Sequence, residues 1–544
     1  MGMKDMPEII RYDDGSAAWE HEFDSFKVKV YVPKTELMAD IINYDFIAPY
    51  LMVFEENERT LDEARTFAEE TGLSKIASAN AGSVAFFYPN SKKDNPWEDL
   101  DDGFFEDIIA NSKVHQYYTD GIVTFRDRFT KERKDNFIRG AIFRTVLYGY
   151  GKSADYIATH LLKTINGEGL WGPADVTPTV CVLENLSVTP VIERDDIPVV
   201  SIKNPDDIND EIFSKVKSGL IKDEAEYVKD YNEFISNYRR WVGVLAEEVK
   251  LKDIDMTMEP GVFTLKTSKD NEGDDANSEY HKVGYLAYYN NGIMDKKKVP
   301  LVLIFHGGGD SAMRMADTSG WWRVAHDHDF LLVSVENHLN STATEMMEFI
   351  DKLKDKYNID PTRIYASGFS MGGCKSWDMY QEYPEVFAGL APMDATFEVG
   401  LNVFGKEAPV KINEDVLVPI FYAGGEITPL PELPFQAQKC LDRMAYVFKV
   451  NRIKKEYSVN PEDKDSWVNP IWGIDGDETE ILKDEERDGI LTMQKFISDD
   501  GRIYSVFASI DNQGHDVRHH TCENAYRFLK KFRRLEDGTL TEED

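Results

Sequence analysis

The sequence predicts an α/β protein, with mostly parallel central sheets flanked by helices in two tandem domains. Three observations predict it. Short apolar runs alternate with helix-compatible stretches through both halves of the 544-residue chain. A G-x-S-x-G pattern, Gly368-Phe369-Ser370-Met371-Gly372, stands between one such run, Arg363 to Ala366, and one such stretch, Cys374 to Glu382. The first half also repeats the order of the second, with Pro49-Tyr50-Leu51-Met52-Val53-Phe54 answering Pro300-Leu301-Val302-Leu303-Ile304-Phe305. A chain this long divides into domains. The repeat places the boundary near residue 250, giving domains 1–250 and 251–544.

The elements follow in order. Phe26 to Val32 reads as a strand before Pro49–Phe54, and Lys282 to Tyr289 as its counterpart before Pro300–Phe305. Val84 to Tyr88 and Leu331 to Val335 come next, each after a helical stretch. Thr145 to Ser153 lines up with Ile364 to Gly372, and Ile197 to Val200 answers Val418 to Phe421 at nearly the same spacing. In this alignment Gly151 stands where Ser370 stands. Glu55-Glu56-Asn57 replaces His306-Gly307-Gly308-Gly309, and no histidine follows the last strand of the first half. Domain 1–250 therefore reads as a degenerate, non-catalytic copy. A phosphate loop at Gly149 to Ser153 is excluded, because G-x-x-x-x-G-K-S needs glycine at Val146. An acidic insertion spans about Asn90 to Asn136. Asp206 to Lys250 reads as helical, and Lys266 to Glu279 as a charged loop.

The chemistry concentrates in the second half. A G-x-S-x-G on a strand-to-helix turn exposes a serine at a sheet edge, so Ser370 is the candidate nucleophile. A serine hydroxyl needs a base. His515, after the strand-like Arg502 to Phe507 and before a helical Cys522 to Phe532, is preferred over His519 and His520. Oxyanion donors are the N–H of Met371, just past the serine, and one from Gly307 or Gly308 after the strand Pro300–Phe305. His306 reads as the residue that orders this turn. This order of oxyanion turn, serine and histidine is that of the α/β-hydrolases. The acid that orients the histidine is placed first at Glu426, after Val418 to Tyr422, with Glu432 and Asp394 as alternatives. Trp321 and Trp322, after the Thr318-Ser319-Gly320 turn, are candidates for an acyl or aromatic pocket. The acidic Ile453 to Gly501, carrying Trp467 and Trp472, is a candidate substrate cover.

The formal charge of −36 repels phosphate backbones and argues against nucleic acid as a partner. No run of about 18 apolar residues is present, so no membrane-spanning helix is expected. The N-terminus has no apolar core of a signal peptide, which points to the cytoplasm, with export behind a removed leader as the alternative. Four cysteines, Cys181, Cys374, Cys440 and Cys522, read as reduced thiols. Neither a metal nor a cofactor motif is present: Asp475-Gly476-Asp477 lacks a full calcium loop, and His326-Asp327-His328 lacks zinc spacing. The sequence assigns no oligomeric state.

At Pro300 to Gly309, Asp360 to Tyr365 leading into Gly368 to Gly373, Tyr383 to Pro392, and Gly514-His515, the chain resembles the polyhydroxybutyrate-depolymerase-type esterases, which include feruloyl and acetylxylan esterases. The resemblance runs from about Lys282 to Phe532. It implies an α/β-hydrolase fold, no metal, and acyl-enzyme chemistry on carboxylic esters. Many members carry G-x-x-D where this chain has Gly424-Gly425-Glu426. The expected activity is a serine carboxylesterase acting on a small-molecule ester or one linked to a carbohydrate or polymer. A serine peptidase of the same fold and a non-catalytic binding protein are the alternatives.

Overall fold

Apolar runs become the inner strands of a sheet in each half of the chain. Pro49–Phe54 and Val299–Phe305 are buried along their whole length, as strands covered on both faces must be. In this computed structural model, one unit ends at Val249 and the next begins at Lys250. The structure describes residues 8–39, 41–44, 48–112, 117–119, 122–124, 140–169, 172–222, 228–241, 244–273, 275–336, 338–395, 398–402, 412–427, 437–469 and 471–543.

The first unit holds a sheet with strands in the order Ile10–Arg11, Ala17–Glu22, Phe26–Val32, Val84–Pro89, Pro49–Phe54, Ala141–Tyr150, Val180–Glu184, Val199–Ile202, Gly219–Lys222. From Val84–Pro89 onward all neighbours are parallel. The second unit's sheet runs Met256–Lys266, Tyr280–Asn290, Leu331–Val335, Val299–Phe305, Ile359–Phe369, Gly389–Met393, Ile420–Gly425, Ile503–Ile510, Gly489–Ile497, Glu478–Asp484. Its strands are parallel from Leu331–Val335 to Ile503–Ile510.

From the second strand of the first unit and the first of the second unit, eight positions match in order and direction. The register matches too. Phe54 pairs with Gly149 after a bulge near Pro49, and Phe305 pairs with Gly368 after a bulge near Val299. Helices fill the crossovers, as parallel neighbours require. Two of them start on capping boxes, Thr60 with Glu63 and Thr342 with Glu345. The chain is thus two α/β-hydrolase-like bodies in tandem, each a mostly parallel sheet flanked by helices.

Two sequence expectations need correction. Asp206 to Lys250 is not helical throughout. Helices Asp206–Lys215 and Val228–Ser236 are separated by Gly219–Lys222 and followed by a hairpin, Tyr238–Trp241 with Val244–Glu247. Helical spacing could not register the short glycine-led run that pairs with Val199–Ile202. Ile453 to Gly501 is not a cover. Its hairpin, Glu478–Asp484 and Gly489–Ile497, extends the sheet antiparallel beside Ile503–Ile510. Trp472 is buried against Tyr422 and Phe507, with ring centroids at 4.8 and 5.1 Å.

Candidate active site

Ser370 ends the strand Ile359–Phe369 and caps the helix Met371–Glu382. Its φ of 55° lies in the left-handed region, a conformation costing a serine roughly 1–3 kcal/mol. Close packing enforces the bend. A β-carbon on Gly368 would stand 2.1 Å from Gly372 O, and one on Gly372 would stand 2.0 Å from Phe305 O. The serine N–H donates to Met393 O at 3.0 Å, tying the corner to the neighbouring strand. Met371 opens the helix, so its N–H is one of those a helix start leaves without a partner inside the helix.

The register of the sheet decides what meets Ser370. Phe369 pairs with Met393, so the next residue along, Asp394, comes to the serine's side of the sheet edge. Asp394 is 2% exposed and itself has a left-handed φ of 44°. Its carboxylate accepts from the N–H groups of Gly425, at 3.0 Å, and Asp516, at 3.1 Å. Asp394 Oδ2 stands 3.8 Å from His515 Nδ1. The His515 ring in turn lies over Phe369, with centroids 4.5 Å apart. Burial pushes the Asp394 carboxyl up to about 8, and the two backbone donors pull against it. A positive charge on His515 would favour the ionised form further.

This placement sets a carboxylate other than the first-placed Glu426 beside the histidine. The carboxylate paired with His515 is that of Asp394, whereas Glu426 makes no ion pair with His515 among the described residues. Glu426 is half-buried and its backbone N–H donates to Ile510 O at 3.0 Å. Glu432 lies outside the described residues. The physical reason lies in the two glycines before Glu426. A β-carbon on Gly424 would come to 3.3 Å from Asp394 Oδ1, and one on Gly425 to 2.4 Å from the carbonyls of Gln513 and Gly514. The strand end Gly424-Gly425 is bare because the acid of the neighbouring strand and the histidine loop both press on it. That glycine pair marks the close approach of Asp394 in the sequence.

The turn His306-Gly307-Gly308-Gly309 follows Val299–Phe305 and lies next to the serine. A β-carbon on Gly307 would stand 3.5 Å from Ser370 Cβ. Gly307 O accepts from Asp310 N–H at 3.2 Å, closing the turn. Neither Gly307 nor Gly308 gives its N–H to a backbone carbonyl among the described residues. His306 is buried, with Nδ1 2.8 Å from Gly307 O and Nε2 3.3 Å from Glu336 Oε1. Sequence reasoning found His306 but missed Glu336 and His338. The signal is again register: Phe305 pairs with Val335, which sets Glu336 beside His306.

Trp321 opens the helix Trp321–His328, is fully buried and packs on Phe330. It is a core residue rather than a pocket wall, because the apolar face of its helix is turned to the sheet. Trp322 is half-buried on the same helix. His519 starts the helix His519–Leu529, with Nδ1 3.6 Å from Glu486 Oε1. Burial, with Arg323 nearby, pushes its pKa down. Two clefts, of about 440 and 460 Å³, lie elsewhere. The first includes Tyr31, Leu37 and Glu69 of the first unit. The second includes Asp255, Asn290 and Lys296, at the end of the second sheet away from Ser370. All four cysteines are unbridged. No helix among the described residues is long and apolar enough to cross a membrane.

The second unit has an α/β-hydrolase-like fold whose sheet edge carries a strained serine, a histidine and a buried aspartate. No family model matches the chain. It is 30% identical over 113 residues to poly(3-hydroxyalkanoate) depolymerase C of Paucimonas lemoignei, covering 17% of this chain and 27% of the relative. It is 29% identical over 136 residues to the bifunctional acetylxylan esterase/xylanase XynS20E of Neocallimastix patriciarum, covering 22% and 20%. The chain thus spans about a quarter or less of each of these two relatives. Among solved structures, the acetyl xylan esterase from Aspergillus awamori overlaps 50% of this chain and 99% of its own at 12% identity, with a TM-score of 0.32.

Proposed function

We propose that the second unit is a serine carboxylesterase. The observation that carries this reading is the arrival of Ser370, Asp394 and His515 at one sheet edge, from three separate strand ends, with the Gly307 turn against the serine. The similarity to esterases supports it.

Ser370 Oγ attacks the ester carbonyl carbon while His515 Nε2 takes the hydroxyl proton. The carbonyl oxygen becomes an oxyanion, held by the N–H of Met371 and one from the Gly307-Gly308 turn. Asp394 accepts from His515 Nδ1–H and stabilises the imidazolium. Collapse breaks the bond to the alcohol, which leaves with the proton from His515. Water then attacks the acyl-enzyme, giving a proton to His515. The second collapse releases the acid and returns that proton to Ser370. The substrate class is a carboxylic ester of a small acyl group or of a hydroxyalkanoate, free or carried on a polymer or carbohydrate.

The first unit completes the proposal as a degenerate copy without chemistry. Gly151 occupies the corner of Ser370, and its N–H donates to Glu184 O at 2.9 Å, as Ser370 N–H does to Met393 O. Asn185, with a φ of 54°, occupies the corner of Asp394.

A fluorophosphonate probe and p-nitrophenyl acetate test the reading, with Ser370→Ala as control. Labelling and turnover that vanish together in the variant are expected. Turnover that survives in Ser370→Ala would sink it.

A further inference from the structure

The oxyanion turn is held by two side chains that no step above uses. His338 Nε2 lies 2.8 Å from His306 O, and His306 Nδ1 lies 2.8 Å from Gly307 O. A carbonyl can only accept, so each of these ring nitrogens carries the hydrogen. Both histidines are buried, and their rings meet edge to face at 4.5 Å. Glu336 stands on the other side of the pair. Its Oε1 is 3.3 Å from His306 Nε2, and its Oε2 accepts from the N–H of Ala312 at 3.1 Å, where the next helix begins.

A peptide unit is planar, with its N–H opposite its C=O. The carbonyl of His306 and the N–H of Gly307 share one plane; the carbonyl of Gly307 and the N–H of Gly308 share the next. Anchoring the first carbonyl on His338 sets the direction of the Gly307 N–H. Anchoring the second on His306 sets that of the Gly308 N–H. Glycines have broad φ/ψ freedom, so without these anchors the two planes would be free to rotate. From this geometry we infer that Glu336 and His338 are positioning residues for ester hydrolysis, aiming the backbone donors of the oxyanion turn at the site beside Ser370. Glu336 acts through the His306 ring and His338 directly on the His306 peptide. The inference rests on the esterase reading and deepens it.

The test is steady-state hydrolysis of p-nitrophenyl acetate by the full chain and by His338→Ala, His338→Gln, Glu336→Ala and Glu336→Gln. It is read alongside inhibition by an aryl trifluoromethyl ketone. Ser370 Oγ adds to that ketone, its proton passing to His515, and leaves an oxyanion in the turn. The alanine variants are expected to lose about 10²-fold in kcat, with KM within about twofold of the parent. Ketone affinity should weaken in parallel. His338→Gln, which keeps an N–H donor, should recover most of the loss. A purely structural role would lower the melting temperature without tying kcat to ketone affinity. Unchanged kcat in both alanine variants overturns the inference, as does a loss of kcat with ketone affinity intact. Where the alanine variants do not fold, Glu336→Gln decides, with about a tenfold loss in kcat and matching ketone weakening expected. An unchanged kcat there overturns the inference. An active parent with indifferent variants overturns this inference alone. A parent that neither hydrolyses the ester nor labels at Ser370 overturns the esterase reading and this inference with it.

Discussion

Gly151 and Ser370 hold the same corner in two sheets. Their φ and ψ are 57° and −127° in the first unit, 55° and −118° in the second. Each follows a strand that pairs in the same register with its neighbour, and each opens a helix. The groups around the corner differ. Where the second unit has Gly307 against the serine, the first has Glu56, whose Oε1 accepts from the N–H of Lys152 at 3.0 Å. That N–H is the counterpart of the Met371 N–H. Where the second has His306, the first has Glu55, a carboxyl that burial pushes up to about 7 against Lys29 and Arg59. The bend therefore belongs to the strand, turn and helix packing rather than to the serine hydroxyl. Glycine at the first corner removes the strain a serine bears there, and the Glu56 carboxylate stands at the helix start beside it.

The largest effect should come from making the second corner like the first. Ser370→Gly should lower kcat by at least about 10⁴-fold, as loss of a nucleophile does. It should not lower the melting temperature. Relief of roughly 1–3 kcal/mol of backbone strain outweighs the ~0.5–1 kcal/mol that glycine's chain entropy costs. A thermal scan beside the kinetics checks both halves. A sharp fall in stability would mean that the hydroxyl, not the packing, holds the corner.

Next comes the acid. Asp394→Asn copies Asn185 of the first unit and should cut kcat by about 10²- to 10⁴-fold. Glu426→Gln should stay within about twofold of the parent, as a carboxylate that does not pair with the histidine would. Steady-state rates on one ester separate them, and a reversed ranking would restore Glu426 as the acid.

The same variant yields a pH signature. With no charge on His515, burial pushes the Asp394 carboxyl up to about 8 in the folded protein, above the roughly 4 of an unfolded aspartate. Between those values the native state keeps a proton that the unfolded chain has released. Stability from this group is therefore greatest at low pH and is lost as pH rises from about 4 to about 8. The amide of the Asp394→Asn variant does not titrate in that range. Urea unfolding should show the parent losing ground to Asp394→Asn across that window. A flat difference would mean that the carboxylate is ionised throughout.

The alternation of strands and helices, the bend at Ser370 and the partner turn at Gly307 were legible because each depends on local residues. Apolar runs mark strands, and glycines mark close approach. The place of Asp394 beside His515 was harder to read, since it follows from register between Ile359–Phe369 and Gly389–Met393, which no local pattern carries. Glu336 was hidden in the same way, by the pairing of Phe305 with Val335. Trp321, Trp467 and Trp472 misled for the opposite reason. A tryptophan near a site in sequence is as suited to a core as to a pocket, and only burial separates the two. The hairpin Glu478–Asp484 with Gly489–Ile497 was obscured by its acidic residues, which sit on an exposed edge strand.

The smallest effect sharpens the role left to the first unit. Glu56 accepts the N–H at the start of the helix Lys152–His160, the work of a helix cap, although it comes from a different strand end. Glu56→Ala should therefore cost about 1 kcal/mol of stability, like the loss of an N-cap side chain, and leave kcat on p-nitrophenyl acetate unchanged. Chemical unfolding monitored by tryptophan fluorescence, with kinetics on the same preparation, reads both. Stability lost with activity intact fits a first copy whose oxyanion place now serves the fold. Activity lost along with it would give the silent copy a part in the working one's chemistry and end the division of labour argued from the two corners.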